Sequence, residues 1–468
     1  MKLQAWAWGA AGLAGWAVWA AGTRGDDAPR TIEETLAAAK QAEAIAAEEK
    51  PADESTEAKA DDKAKGDEHP NHTSPGEIPA FVTKGVAWLI AAQHNDGGWG
   101  GGSHSAQNIR DPHAVKTDPA TTSFTLLSLL RSGHTPIAGE YKSQVRKGLE
   151  YLLTAVEQAP PNESRITTIE GTQPQTKLGR FVDTAMTAQY LARALAMLPA
   201  DDPLRERTDK ALDVCLAKLQ KSQSANGAWN EGGGWAPVLQ SSLACSALEL
   251  AAAGGKQVDK DVLQKARDYQ KGNYDSKSGR TESSAAAGVD LYAFNGAFRG
   301  NAADAAAAEQ VVERAKAEGK VAASAPVSEE SIRQSGVTDE LQVRRLAAAA
   351  VQNASQINRL NDEKLLAGFG NNGGEEFLSY LMTSETLVIA GGEKFAEWQK
   401  KMEERLAKIQ NNDGSWAGHH CITSPVFCTA AVVQCLTTDR DREFLVAMAE
   451  RTAGGGQTLT AATEAVSK

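Results

Sequence analysis

Aromatic residues make up only 6% of this 468-residue sequence, and cysteines number five. An odd cysteine count without framework spacing argues against a disulfide-stapled scaffold. Basic residues are in deficit as well, with 49 Lys and Arg against 60 Asp and Glu and a net charge of −11. Because a phosphate backbone requires a basic surface, we expect no nucleic-acid partner. Long runs that alternate with period two are missing, so the sequence does not predict a sheet.

The N-terminus carries an uncharged, mostly apolar run, residues 3–22, which follows Met1-Lys2 and holds four of the ten tryptophans. This composition is typical of an export signal, either cleaved or retained as a membrane anchor of about 20 residues. We therefore expect an exported protein, periplasmic or extracellular, either free or held at the membrane by residues 3–22. Residues 23–77 follow as an acidic, Ala/Glu/Lys-rich linker, part of which has too few apolar residues to fold.

Helical periodicity dominates residues 78–440 and predicts six two-helix units. The predicted pairs are 78–93 with 119–132, 141–158 with 181–198, 204–223 with 237–253, 258–270 with 283–297, 339–356 with 375–390, and 394–410 with 424–436. The first helix of each unit is amphipathic and the second is apolar nearly all round, which requires burial on every face. This arrangement predicts an all-α fold, an (α/α)6 toroid of six helical hairpins, with an open solenoid as the alternative. We expect an insertion on the rim at about 299–337 and a flexible tail at 441–468.

Three junctions between the helices of a unit repeat the pattern Q-x-x-(D/N)-G-x-W. Its members are Gln93, Gly97 and Trp99; Gln223, Gly227 and Trp229; and Gln410, Gly414 and Trp416. The glutamine can satisfy backbone groups left unpaired at helix ends, and the glycine supplies a left-handed turn. The tryptophan buries a large face and offers one N–H to a partner. The pattern therefore predicts structural braces between adjacent units.

These three segments resemble the QW motifs of the prenyltransferase/squalene-cyclase repeat superfamily. That superfamily includes squalene–hopene cyclases, oxidosqualene cyclases and the β subunits of protein prenyltransferases. The resemblance covers roughly residues 78–440, with three good repeats and three degenerate ones. It implies the α/α toroid and a central cavity suited to an isoprenoid or another apolar ligand.

The acid segment of class II cyclases is incomplete in this chain. Those enzymes protonate an alkene with a D-x-D-D-T-A segment at the start of an inner helix, and the middle Asp is the acid. The nearest segment here is 180–185, where Val182 occupies the acid position and Asp183 remains. The pair in Asp439-Arg-Asp441 follows an inner helix and falls at the wrong end. Helix capping is the simpler role for Asp183 and for Asp118.

Other candidate site residues lie in the loops before the predicted inner helices. His419, His420 and Cys421 are weak candidates for a zinc site like that of protein prenyltransferases. Consecutive ligands rarely converge on one ion, so no cofactor is predicted and zinc stays a minor alternative. The first long loop contains His104, Asp111 and His113, of which a His and an Asp could serve as an acid/base pair. Residues expected to share the cavity mouth are Asp118, Asp183, Trp235, Glu375, Glu376 and His419.

Three functions stay open, and the sequence does not decide whether the chain is an enzyme. The first is binding of an apolar or isoprenoid ligand, or divergent catalysis on one. The second is a non-catalytic toroid scaffold for protein interaction. The third is a carbohydrate-active toroid, with Asp183, Glu375 or Glu376 as weak catalytic candidates. The low aromatic content argues against classical cyclases, which stabilise carbocations by cation–π contact.

Overall fold

The computed structural model describes residues 77–231, 233–370 and 372–453. All of them belong to one compact unit, Asp62–Lys468. The apolar run 3–22, the linker up to residue 76 and the tail beyond residue 453 lie outside the described residues, so export and membrane association stay predictions. Within the described ranges, no helix combines the length and the apolar character that a membrane span needs.

Sixteen α-helices form the described part of the chain, together with a two-stranded antiparallel hairpin of β1 (Tyr274–Asp275) and β2 (Arg280–Thr281). The helices are α1 (Ala80–Ala91), α2 (Pro119–Arg131), α3 (Lys142–Glu157), α4 (Gln173–Lys177), α5 (Val182–Met197), α6 (Arg205–Lys221), α7 (Pro237–Ala253), α8 (Lys260–Lys271), α9 (Asp290–Ala317), α10 (Glu329–Gln334), α11 (Glu340–Arg359), α12 (Glu363–Leu366), α13 (Gly374–Ala390), α14 (Lys394–Ala407), α15 (Pro425–Leu436) and α16 (Arg442–Thr452).

Six helices form a closed inner ring in the order α2, α5, α7, α9, α13 and α15. Each contacts the next, and α15 contacts α2. Every residue of α2 and of α15 is buried, as their apolar character on all faces requires. The outer helices α1, α3, α6, α8, α11 and α14 lie around this ring, and α8 buries only Leu263, Ala266, Arg267 and Gln270. This cyclic order confirms the predicted (α/α)6 toroid over the solenoid.

The three Q-x-x-(D/N)-G-x-W loops share one set of contacts. In the third unit, Gln223 Nε2 donates to the Gly227 carbonyl at 3.1 Å and to the Val262 carbonyl of the next outer helix at 2.8 Å. Trp229 Nε1 donates to the Leu219 carbonyl at the end of α6 at 2.9 Å. Each loop therefore satisfies the frayed end of its own outer helix and attaches to the following one.

The loop of the last unit closes the ring. Gln410 Nε2 donates to the Phe81 carbonyl of α1 at 2.7 Å, which is the same contact that the other two glutamines make to α3 and α8. Trp88 Nε1 of α1 reaches back to Asp413 Oδ2 at 3.1 Å. The first and last repeats are therefore joined by the interactions that join neighbours elsewhere.

A chain of buried ion pairs crosses the interior near the C-terminal ends of the inner helices. In order, its members are Arg193, Asp441, Arg131, Glu385, Arg299, Glu249 and Arg267. We call these seven residues the internal ion-pair chain. Hydrogen bonds and charges from Arg193 and Arg131 hold the pKa of Asp441 far below its ordinary value, although burial alone would raise it. Five of the six inner helices, α2, α5, α7, α9 and α13, each contribute one residue to the internal ion-pair chain.

Two segments differ from the sequence-based prediction. The expected insertion at 299–337 does not begin at residue 299, because α9 continues without a break to Ala317. Its residues from Ala302 to Ala308 are all buried, so the helix has packing partners to continue along. The expected flexible tail 441–468 is also wrong in its first part. Helix α16 buries Leu445, Met448, Ala449 and Thr452, a spacing that places one face of the helix against the ring.

Candidate functional site

The N-terminal ends of the inner helices lie at one end of the ring, which we call the mouth. Loops that are far apart in sequence meet there. Gln173 Oε1 accepts from the backbone N–H groups of Thr423 at 2.6 Å and of Ser424 at 3.1 Å. Arg110 donates to the Thr423 carbonyl at 2.5 Å and to the Gly418 carbonyl at 3.2 Å. The internal ion-pair chain, including Asp441, lies at the opposite end.

Asp118 and Asp183 are both fully buried at the mouth and tie loops to helix ends. Asp118 caps α2, because its Oδ1 accepts from Thr121 N at 2.8 Å, and its Oδ2 accepts from Gly101 N at 2.7 Å. Burial raises the pKa of Asp118. The predicted cap at Asp118 is therefore confirmed.

Asp183 does not cap its own helix, which corrects the prediction. Helix α5 begins at Val182, so Asp183 lies inside the first turn. Its Oδ1 accepts from Ala120 N of α2 at 3.1 Å, and its Oδ2 accepts from Gln175 Nε2 at 2.7 Å. Burial first, and the Asp118 charge second, raise the pKa of Asp183 to about 7.

Glu375 and Glu376 are buried at the start of α13. Glu376 accepts from Gly373 N at 2.9 Å, from Phe369 N at 3.0 Å and from the Tyr292 hydroxyl. Glu375 Oε2 accepts from Ile422 N at 3.1 Å. Burial first, and the Glu376 charge second, raise the pKa of Glu375 to about 8, so the side chain is mostly protonated at neutral pH.

The carboxyl groups of Asp118, Asp183, Glu375 and Glu376 share one feature that bears on whether they can act as a general acid or base. Each accepts at least one hydrogen bond from a backbone N–H group, and together they hold the mouth loops against the inner helices. A general acid or base must instead reach a reacting group, directly or through one water. Burial raises the pKa values of Asp118, Asp183 and Glu375. All four carboxyl groups accept hydrogen bonds from the protein itself.

The weak zinc candidates His419, His420 and Cys421 do not converge on one point. His419 is exposed, and its backbone N–H donates to the Asn372 carbonyl at 2.8 Å. His420 Nε2 lies 3.7 Å from Glu376 Oε2. The Cys421 thiol is hydrogen bonded to Glu375, and burial raises its pKa to about 12. Within the described residues, no group of three or more His, Cys, Asp or Glu side chains is arranged to hold a metal ion.

Trp235 lies at the mouth as expected, and both Lys177 and His104 lie next to its ring. Its side chain is 57% exposed. The Lys177 ammonium lies 3.5 Å from the centre of the Trp235 ring, and the His104 ring is 6.2 Å away, edge to face. Backbone N–H groups of Trp235 and Ala236 both donate to the Lys177 carbonyl, at 2.9 and 2.8 Å. Sequence analysis missed Lys177, because no local pattern distinguishes it from a surface lysine.

Where the described residues line the interior of the ring, two small cavities lie between the inner helices. Each has about 20 Å³ of space. Both are lined by Gln189, Ser246, Glu385 and Gln434. That volume holds one or two water molecules. A larger cavity of about 360 Å³ opens beside the mouth, next to Phe369.

Comparison with known proteins agrees with the repeat pattern in the first part of the chain. Residues 73–172 match the family model of the squalene-hopene cyclase C-terminal domain. The matched segment covers about a fifth of the chain and contains α1, α2, α3 and the first Q-x-x-(D/N)-G-x-W loop. No curated protein and no solved structure gives a match.

Proposed function

We propose that this chain, a terpenoid cyclase-like member of the squalene-cyclase/prenyltransferase-repeat superfamily, is a non-catalytic toroid scaffold whose mouth binds a partner protein. One observation supports this proposal, which is the small size of the two cavities that the described residues line between the inner helices. Ligand pockets for small molecules have volumes of about 300–1,000 Å³. The two central cavities have about 20 Å³ each. An isoprenoid chain of squalene size does not fit in that space.

The internal ion-pair chain adds to the argument against an apolar ligand. Arg131, Arg299 and Glu385 line the central cavity or lie beside it. An apolar ligand entering there would separate these charges or leave them facing hydrocarbon. Separating a buried ion pair costs several kcal/mol, about 3–5 for the loss of one partner. These buried charges therefore favour a structural role for the interior over a role as a reaction chamber for apolar substrates.

The third function, carbohydrate chemistry, has weaker support. It requires two carboxyl groups flanking a substrate, roughly 5–10 Å apart and open to it. Glu375 and Asp183 have the raised pKa values that a general acid needs. Both are buried, and both accept backbone hydrogen bonds that hold the mouth together. These contacts favour a structural role.

The mouth offers a surface of the kind that proteins bind. Trp235 and Phe369 are 57% and 59% exposed, and both lie on loops that precede inner helices. Exposed aromatic side chains are enriched at protein interfaces and often carry much of the binding energy. The cavity beside Phe369 gives this surface a concave region. We therefore assign partner binding to the mouth.

Site-specific photocrosslinking in cells that produce the protein tests the proposal. Benzoylphenylalanine replaces Trp235 or Phe369 in separate variants, and replaces Leu341, which is 77% exposed at the start of α11, in the control. We expect one and the same polypeptide to be linked at both mouth positions and not at Leu341. Absence of a shared product, or equal labelling at Leu341, contradicts the proposal.

Lipid extraction of the purified protein, followed by mass spectrometry, tests the alternative function. A non-catalytic scaffold is expected to give no polyprenyl compound at a level near one per chain. Recovery of such a compound at that level would overturn the scaffold proposal in favour of isoprenoid binding.

A further inference from the structure

Lys177 is an unusual lysine, because its side chain is almost wholly buried without a polar partner. It is 3% exposed at the end of α4. Among the described residues, its ammonium has neither a hydrogen-bond partner nor an ion-pair partner, and its contact is the face of Trp235. An ammonium without a counter-charge at contact distance can bind an anionic group of a ligand.

His104 adds a second unsatisfied polar atom at the same place. Its Nδ1 is buried and lacks a hydrogen-bond partner in the described part of the chain. Burial first, and the Lys177 charge second, lower the pKa of His104, which favours the neutral form of the ring. A neutral imidazole can donate one hydrogen bond through Nδ1. Lys177 and His104 thus present two donors next to the exposed ring of Trp235.

The groups around Lys177 do not neutralise it. The nearby Glu375 has a pKa raised to about 8 by burial, and the Cys421 thiol has a pKa raised to about 12, so both are mostly neutral at pH 7. Cys421 also has a φ of 57°, which is strained for a residue with a side chain. Such strain is concentrated at functional sites in proteins. Among the described residues, no carboxylate lies within ion-pair distance of the Lys177 ammonium.

We propose that Lys177, His104 and Trp235 form a subsite for one carboxylate group of the partner polypeptide, with Trp235 covering the apolar part of the same residue. This inference rests on the proposed function of the mouth. One ammonium balances one negative charge, so a monoanion fits the subsite. A phosphate dianion fits less well, because a single cation faces it and the Glu376 carboxylate lies at the same mouth.

Titration with short peptides tests the subsite directly. The probes are N-acetylated, amidated Leu-Glu-Leu-Ala, the same peptide with Gln for Glu, and inorganic phosphate. The signal is the indole N–H resonance of Trp235 in tryptophan-labelled protein, assigned by its loss in Trp235→Phe. We expect the glutamate peptide to bind at least tenfold more tightly than the glutamine peptide, a difference typical of a charged hydrogen bond.

The Lys177→Met variant supplies the decisive comparison, because methionine keeps the apolar stem without the charge. We expect it to lose the preference for glutamate while the other indole resonances stay in place, which shows an intact fold. Equal binding of the two peptides to the wild type, or tighter binding of phosphate than of the glutamate peptide, overturns the proposal.

Crosslinking from position 369 separates failure of the subsite from failure of the scaffold. The crosslinker at Phe369 is combined with Lys177→Met, or with Lys400→Met on the exposed face of α14 as the control. We expect at least a fivefold loss of the linked partner with Lys177→Met and none with the control. Full capture with Lys177→Met refutes the subsite and leaves the scaffold, whereas no capture by the wild type refutes the scaffold.

Discussion

Glu375 illustrates how burial, rather than a catalytic duty, sets the acidity of a residue at the mouth. Its carboxyl group is almost fully buried, accepts one backbone hydrogen bond from Ile422 and lies next to Glu376. Desolvation disfavours the charged form, and a neighbouring carboxylate adds to that effect. A raised pKa is often used to identify catalytic acids, but structural groups show it as well. For Glu375 the contacts favour the structural explanation.

The raised pKa of Glu375 makes stability depend on pH in a definite direction. The folded-state value of about 8 exceeds the ordinary 4.5, so the folded protein binds more protons than the unfolded chain between these values. Stability linked to this group is therefore lost as pH rises from 5.5 to 8, with a slope of up to about 1.4 kcal/mol per pH unit. Urea unfolding at both pH values measures it.

Glu375→Gln is the control for this pH effect, because glutamine still accepts from Ile422 N and does not titrate. The wild type should lose about 1 kcal/mol or more beyond what the variant loses over the same interval. Comparing the two chains cancels the contributions of His104 and the other groups that titrate there. Equal losses in both chains contradict the assigned pKa.

Sequence reasoning identified some of the mouth residues and missed others for a physical reason. The cap at Asp118 follows from its position before Pro119, which is a local signal. Asp183 serves a neighbouring helix instead of its own, and Lys177 is paired with Trp235 across 58 positions of sequence. Contacts between loops so far apart leave no pattern in a single sequence.

At the scale of elements, the repeated loops determine how helices end and where the next one is attached. Gly227 shows why the pattern requires glycine. Its φ is +89°, and a Cβ there would lie 2.1 Å from the Lys265 carbonyl oxygen of α8. The glycine therefore allows both the left-handed turn and the close approach of the next outer helix.

Gly227→Ala should destabilise the protein more than an alanine at a glycine with the same backbone conformation. Gly255 is the matched control, with a φ of +85° and nothing within 4 Å of its virtual Cβ. The left-handed conformation alone costs about 1–2 kcal/mol. Overpacking adds about 1–3 kcal/mol at Gly227.

Urea denaturation of the two variants measures the difference. We expect a free energy of unfolding lower by about 2–5 kcal/mol for Gly227→Ala, against about 1–2 for Gly255→Ala. Similar losses would show that the loop moves easily away from α8, and the bracing role of the motif would then be wrong.

All twelve predicted helices of the six units are present, which reflects how strongly apolar periodicity determines helices. The main errors lie at the ends of elements. Helix α9 runs on past Arg299 because buried partners are available along it, and α16 is ordered because the ring end accepts its apolar face. In both places, the deciding factor is a neighbouring surface and not the propensity of the segment.

At the scale of the whole molecule, the internal ion-pair chain links the inner helices across the interior of the ring. Its seven members join α2, α5, α7, α9 and α13 across the interior, with Arg267 from the outer helix α8 at one end. Arg267 also donates to the Thr452 carbonyl at 2.6 Å, which fixes the end of α16. Charge pairing in the interior is therefore a property of many helices at once.

Glu249→Gln should be strongly destabilising, because Glu249 pairs with both Arg267 and Arg299 and all three are buried. Removing one partner of a buried ion pair typically costs about 3–5 kcal/mol, since the remaining charge is left uncompensated. Equilibrium unfolding in urea gives this value.

The control is Glu157→Gln, which removes the exposed ion pair with Arg207. Exposed pairs contribute about 0–1 kcal/mol, so little change is expected. A small effect at Glu249 would indicate that the interior is solvated or rearranges readily, and would weaken the argument that the ring is closed to ligands.

The sequence by itself determined the helices, their grouping into six units and the loops that brace them, because each depends on residues close together in the chain. It also predicts that the cyclase acid is missing, since Val182 occupies that position in the nearest matching segment. Only the tertiary structure decided that the ring closes, that an ion-pair chain crosses its interior and that Lys177 lies against Trp235. These properties depend on side chains from distant segments meeting in space, where burial and charge pairing are settled by the assembled fold.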